Sequence, residues 1–163
     1  MTIRRHLLVA ALLPLAGCGF ALRRAPELKF HAIQLANFKP RSPLAAELRA
    51  SINASTTTLV VDGPAQAQVV LEAIEDARDK VVVASGAVGQ VTEFQLRARF
   101  KFRLRSVNGR ELIPETELLQ SRDLSYTESA ALAKEQEENF LYRAMQADIV
   151  AQVMRRLASV QTF

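Results

Sequence analysis

Cysteine occurs once in these 163 residues, at Cys18, so no disulfide can close within the chain. Histidine is nearly as scarce. His6 falls in a leader-like start, which leaves His31 as the one histidine beyond it. A Ser-His-Asp arrangement would have to use His31, and nothing around it in the sequence supports one. No set of His, Cys, Asp and Glu has metal-ligand spacing. No glycine-rich loop leads from a strand into a helix to cradle a phosphate. These lacks speak against an enzyme, a metal centre and a bound cofactor. A large excess of one charge is missing as well. Two of the 21 basic residues, Arg4 and Arg5, lie in the leader, which leaves 19 against 17 acidic ones. That mild balance gives nucleic-acid binding little support. Long apolar runs are absent too: Leu7 to Leu15 is too short to span a bilayer.

What is present starts with the leader. Residues 1–17 combine a positive start at Arg4 and Arg5, an apolar stretch and small residues before Cys18, the parts of a secretory signal peptide. Leu15-Ala16-Gly17-Cys18 resembles a bacterial lipobox. Cys18 is therefore expected to become the mature N-terminus, carrying a diacylglyceryl thioether and an N-acyl group. Several acyl chains, at ~0.8 kcal/mol per buried CH₂, make a stable anchor. Gly19 stands where aspartate would retain a Gram-negative lipoprotein at the inner membrane, so the expected location is the outer membrane, lipid-anchored and facing the periplasm. Residues 18–28 read as a tether and 29–163 as one domain. With 49% apolar residues, that length can bury about two-thirds of its unfolded surface.

Along the domain, Lys29–Leu35 alternates and reads as a strand, and its pattern also admits burial on both faces. Ser42-Pro43 opens a helix: serine is a good N-cap, and proline suits the first helical position. Leu44, Leu48 and Ile52 recur every four residues as its apolar stripe. Thr57–Val61 is a short β-prone run stopped by Asp62-Gly63-Pro64. Gln68–Ala84 is rich in β-branched residues but is interrupted by the charged run Glu75–Lys80. It reads as two strand pieces, or as one long strand with a bulge.

The most ordered stretch begins at Gln95. Leu96, Ala98, Phe100, Phe102 and Leu104 alternate strictly with Arg97, Arg99, Lys101, Arg103 and Arg105. Only a strand separates such residues onto two faces. One face belongs on the core and the other is a basic ladder. Neighbouring charges about 6.7 Å apart repel by roughly 0.6 kcal/mol in bulk water, so acids such as Glu72, Glu117 and Asp123 are expected close by. Asn108-Gly109 predicts a two-residue type I′ hairpin, which sets Arg105 opposite Leu112. Simple pairing puts Glu117 on the apolar face. A bulge near Ile113-Pro114 would shift it opposite Lys101 and bring Leu118 to Phe100. The last element reads as a long helix capped by Thr127 or Ser129. Its stripe is Leu141, Met145, Ile149, Val153 and Leu157, flanked by Leu132, Phe140, Val150 and Met154.

Taken together, the chain resembles the LPS-assembly lipoprotein family, LptE. The resemblance is carried by Cys18-Gly19-Phe20-Ala21-Leu22-Arg23, by Glu93-Phe94-Gln95-Leu96, by Ala131-Leu132-Ala133-Lys134-Glu135 and by Arg155-Arg156-Leu157. It implies an α+β two-layer sandwich, a four-stranded, mostly antiparallel sheet with two helices on one face. It implies an outer-membrane lipoprotein that plugs and helps assemble the LptD β-barrel, binds lipopolysaccharide and takes part in its insertion into the outer leaflet. Lys134 falls on a family lysine that contacts lipopolysaccharide. The family can also carry a basic residue in the hairpin before Glu93, where Ser85–Gly89 has no charge here. Arg97, Arg99 and Lys101 are therefore further candidates for the phosphates. Two other readings stay open, an auxiliary lipoprotein of another envelope lipid-transport system and a membrane-tethered enzyme using His31.

Overall fold

The computed structural model describes residues 27–161. The leader, Cys18 and the first part of the tether lie outside the described residues. The described tether end is packed: Leu28 is buried, and Thr57 Oγ1 donates to its carbonyl.

The elements run β1 (Ala32–Ala36), α1 (Pro43–Asn53), β2 (Leu59–Val61), a 3-10 turn at Pro64–Gln66, β3 (Val69–Ser85), β4 (Val91–Ser106), β5 (Glu111–Ser125), a second 3-10 turn at Glu128–Ala130, and α2 (Ala131–Ala158). One sheet has the order β2-β1-β3-β4-β5. The α+β class and two helices match expectation. The sheet has five strands where four were expected, because the short Leu59–Val61 run pairs with β1 as an edge strand. It is also mixed, since β1 lies parallel to both β2 and β3 while β3, β4 and β5 are antiparallel.

The register of β4 explains the core. Leu96, Phe100, Phe102 and Leu104 are fully buried, with Ala98 nearly so. They meet Leu44, Leu48 and Ile52 of α1 and Met145, Ile149, Val153 and Leu157 of α2 in one cluster. Ser42 caps α1 as expected, its Oγ accepting from the Ala45 N–H at 3.2 Å. Gln68–Ala84 proves to be one strand. A bulge between Ala73 and Glu75 shifts the alternation by one, so the charged run continues the strand instead of ending it.

Two hairpin expectations need correction. The Asn108-Gly109 turn is a three-residue loop, not type I′. Gly109 accepts φ +86° while Asn108 does not enter the left-handed region, and Ser106 N–H donates to the Arg110 carbonyl. A single left-handed glycine closing a G1 bulge gives this geometry. Arg105 therefore faces Glu111, not Leu112. The expected bulge is present between Ile113 and Thr116, and together with a further extra residue, Leu112, between Glu111 and Ile113 it puts Glu117 opposite Lys101 and Leu118 opposite Phe100.

The last helix also departs in part. Thr127 caps only the 3-10 turn, through its backbone, and Ala130 starts α2 without a side-chain cap. Leu132 and Phe140 are exposed at 73% and 62%. They sit on the helix side turned from the sheet. Leu141 is half-buried against the core and Tyr142 beside it is buried, its hydroxyl donating to the Asp79 carbonyl. Burial pushes the Tyr142 phenol above its usual range.

Candidate functional site

The ladder residues of β4 face away from both helices, because the alternate residues fill the core. Acids of the neighbouring strands answer them. Glu72 accepts from Arg103 Nε at 2.6 Å and from Arg105. Glu75 bridges Arg99 and Lys101 from β3, and Glu117 bridges the same two from β5, all at 3.3–3.5 Å. Hydrogen bonding from Arg105 is the largest influence holding the Glu72 carboxyl below its usual range; burial opposes it and Arg103 adds to it. Glu117, then Glu75, raises Lys101. The expected acids Glu72 and Glu117 are in place. Asp123 instead takes the Gln95 side-chain amide, and Glu75 replaces it because the β3 bulge turns that residue outward. Arg97 bonds only the Gln95 side-chain oxygen, at 2.7 Å, and has no carboxylate partner among the described residues.

Lys134 lies elsewhere, on the first turn of α2. Its Nζ donates to Ser125 Oγ at 3.0 Å and to Glu137 Oε2 at 2.8 Å. It lines a small cavity of about 200 Å³ with Lys80, Leu124, Tyr126, Ala131, Glu135 and Glu138. A larger cavity of about 580 Å³ adjoins it, walled by Lys80, Val91, Phe94, Tyr126 and Glu128 among others. Lys80 and Tyr126 belong to both. Lys80 Nζ sits 4.2 Å from the Phe94 ring centroid and 2.6 Å from Glu138 Oε2. Phe94 and Tyr126 meet edge to face at 5.3 Å.

The structure thus brings Arg99 and Lys101 together, leaves Arg97 one step along the same face, and puts Lys134 in a separate cleft. Sequence reasoning missed Lys80, Phe94, Tyr126 and Glu138. After the β3 bulge, Asp76, Arg78 and Lys80 turn to the helix side, where they meet Ser42, Gln146 and Glu138. Recognising that one-residue shift would have placed Lys80 beside Lys134.

The cleft can hold a molecule that is part apolar and part anionic. Aromatic faces line its wall, and two lysines present donors to an anionic group. Each lysine already carries a glutamate, so a phosphate has to exchange with a carboxylate. Both ion pairs are partly exposed to water, and such pairs are worth about 0–1 kcal/mol, so the exchange is inexpensive. The cleft lies far from the point where the tether enters. Eleven residue steps along β3 lead from Val69 to Lys80, roughly 35 Å at strand rise.

Comparison with known proteins adds a second line of observation. A family model described as LptE, lipopolysaccharide-assembly, matches residues 30–157. The LPS-assembly lipoprotein LptE of Photorhabdus laumondii is 29% identical, covering 94% of this chain and 84% of that protein. The solution structure of an uncharacterized lipoprotein B from Nitrosomonas europaea superposes with a TM-score of 0.74 at 29% identity, over 86% of this chain and 91% of that one. The crystal structure of the rare lipoprotein B of Shewanella oneidensis shares the fold, with a TM-score of 0.66 at 20% identity over 79% and 95% of the two chains.

Proposed function

This chain belongs to the lipopolysaccharide-assembly family LptE, and from that premise we propose that it is an outer-membrane lipoprotein anchored through Cys18. In this reading it seats in a large LptD-type β-barrel, assists the barrel's assembly and helps pass lipopolysaccharide toward the outer leaflet. Lipopolysaccharide bears phosphates next to acyl chains. The cleft beside Lys134 offers the matching pair of surfaces, ammonium groups at Lys134 and Lys80 and an aromatic wall at Phe94 and Tyr126. That juxtaposition is the observation that carries the reading. Glutamates on both lysines keep binding exchangeable, which suits a protein that must release what it holds.

Arg97 supplies an auxiliary contact on the opposite face, since its charge is not taken by a carboxylate. Arg99 and Lys101 can reach a phosphate only by giving up Glu75 and Glu117, so their share is smaller.

The test is lipopolysaccharide binding by the purified protein. A charge-assisted hydrogen bond is worth about 1.5–3 kcal/mol, and each 1.4 kcal/mol is about tenfold in affinity. Lys134→Ala is expected to weaken binding about tenfold or more, and adding Arg97→Gln to weaken it further. Unchanged binding by the double variant contradicts the reading.

A further inference from the structure

A second groove lies between α1 and the loop that joins β1 to it. Its volume is about 280 Å³, and Leu35, Phe38, Lys39, Arg41, Ser42, Ala45, Ala46 and Arg49 line it. Every charged residue in that lining is a cation. This sets it apart from the Lys134 cleft, where glutamates outnumber lysines.

The three cations are held but not neutralised. Arg41 is exposed and has no ion pair or hydrogen bond among the described residues. Lys39 Nζ donates to a backbone carbonyl, that of Asp76, at 2.7 Å, which leaves two donors unused, while the Asp76 carboxylate accepts from Ser42 Oγ at 2.7 Å. Arg49 pairs with Asp62, whose side chain is 91% exposed, so water and salt screen that contact. Arg41 and Lys39 stand at the start of α1 and Arg49 two turns further on, about 12 Å along the helix. The floor between them is apolar, formed by Leu35, Phe38, Ala45 and Ala46.

The backbone of the loop is unusual. Asn37 and Arg41 both occupy the left-handed region, at φ 63° and 58°. Asparagine tolerates that conformation, whereas arginine rarely adopts it. The surroundings enforce it. The Phe38 ring stacks on the buried Phe100 ring at 5.8 Å between centroids, Lys39 is tied to β3, and Ser42 N–H donates to the Lys39 carbonyl. A costly conformation that the fold maintains, ending in an unpaired guanidinium at the rim of a groove, marks a place where strain serves a purpose.

We propose that this groove is a binding site for the phosphate group of an anionic amphiphile. Arg41 and Lys39 grip the phosphate at one end, Arg49 adds charge from the other, and the apolar part of the ligand lies on Leu35 and Phe38. The site is independent of the Lys134 cleft and does not rest on lipopolysaccharide as the ligand.

The test uses the full-length lipoprotein in neutral detergent, titrated with a short-chain phosphatidic acid, with the matching phosphatidylcholine, and with inorganic phosphate. Phosphatidic acid is expected to bind roughly tenfold or more tightly than phosphatidylcholine, and more tightly than inorganic phosphate, because both the charge and the apolar floor contribute. Arg41→Asn keeps a residue suited to φ 58°, so the fold is retained. Combined with Arg49→Gln it is expected to weaken phosphatidic acid binding about tenfold or more with no fall in melting temperature. The titrations are repeated in a Lys134→Ala background, which removes the share of the other cleft, and the loss caused by the Arg41 and Arg49 changes is expected to persist there. Inorganic phosphate binding as tightly as the lipid would overturn the amphiphile and assign the groove to the free anion. Binding that is indifferent to Arg41 and Arg49, or that tracks Lys134 instead, would overturn the site.

Discussion

Lys101 and Glu117 face each other across β4 and β5, with Nζ 3.4 Å from Oε2. They meet only because the β5 backbone carries one extra residue at Leu112 and a second between Ile113 and Thr116. Without the second, Glu117 would turn to the core face and Leu118 to solvent. The bulge therefore decides at once which residues fill the core and which balance the basic ladder. Deleting Glu115 is expected to destabilise the domain severely, by several kcal/mol, since it buries a carboxylate without a partner and exposes Leu118. Denaturant unfolding measures this; a loss below about 1 kcal/mol would show that the strand re-bulges freely.

The β4–β5 turn separates two neighbouring residues. Gly109→Ala is expected to cost about 1 kcal/mol or more, because φ +86° strains any residue with a Cβ. Asn108→Ala is expected to cost less than about 0.5 kcal/mol, since Asn108 does not use a positive φ. Equal losses at both positions would mean a type I′ turn instead.

Phe100 sits fully buried between Phe38 and Phe102, stacked on each. Phe100→Ala is expected to cost about 3–5 kcal/mol. It also removes the platform under the 37–41 loop, so binding of phosphatidic acid should fall with it. Arg103→Ala, on the exposed face, is expected to cost far less, and chemical denaturation of the two variants side by side gives the comparison.

Glu72 sets one pH dependence. Its folded pKa lies below the ordinary carboxylate value of 4.5. The stabilisation it brings is therefore fully present above the unfolded value and is lost as pH falls through the lowered folded one. Melting temperature measured between pH 7 and pH 3 should drop less steeply for Glu72→Gln than for the parent protein over the acid end. Parallel curves would mean that the Arg103 and Arg105 contacts contribute nothing through Glu72.

Lys80 and Glu138 predict opposite effects on ligand binding although they form one ion pair. Lys80→Met removes a donor from the cleft and is expected to weaken lipopolysaccharide binding several-fold. Glu138→Gln frees that donor and is expected to strengthen binding. If the gain persists when Lys80 is also methionine, it reflects relief of charge repulsion and not release of Lys80.

Much of this was readable in the sequence where alternation runs unbroken. The strict β4 pattern fixed both faces of the central sheet, and the misplacement of Glu117 under simple pairing revealed the β5 bulge. Ser42-Pro43 located the start of α1. Legibility failed where one residue shifts the period. The charged run after the Ala73–Glu75 bulge left β3 open between two pieces and the one bulged strand it is, and hid the inward turn of Lys80. Asn108-Gly109 suggested a tighter turn than the chain makes, because glycine alone satisfies the positive φ. Leu132 and Phe140 fit an apolar helix stripe by composition, yet they fall on the side of α2 turned from the sheet and stay exposed. The groove at Arg41 left no periodic trace, because its geometry depends on loop backbone angles that no residue pattern encodes.

As a lipoprotein proposed to seat in a large β-barrel, this chain is expected to carry that barrel with it through extraction. The most direct measurement is co-purification of the full-length, C-terminally tagged protein from membranes in mild detergent. A large outer-membrane β-barrel protein is expected in equal stoichiometry. A lipidated protein recovered alone, or with an inner-membrane transporter, would contradict it.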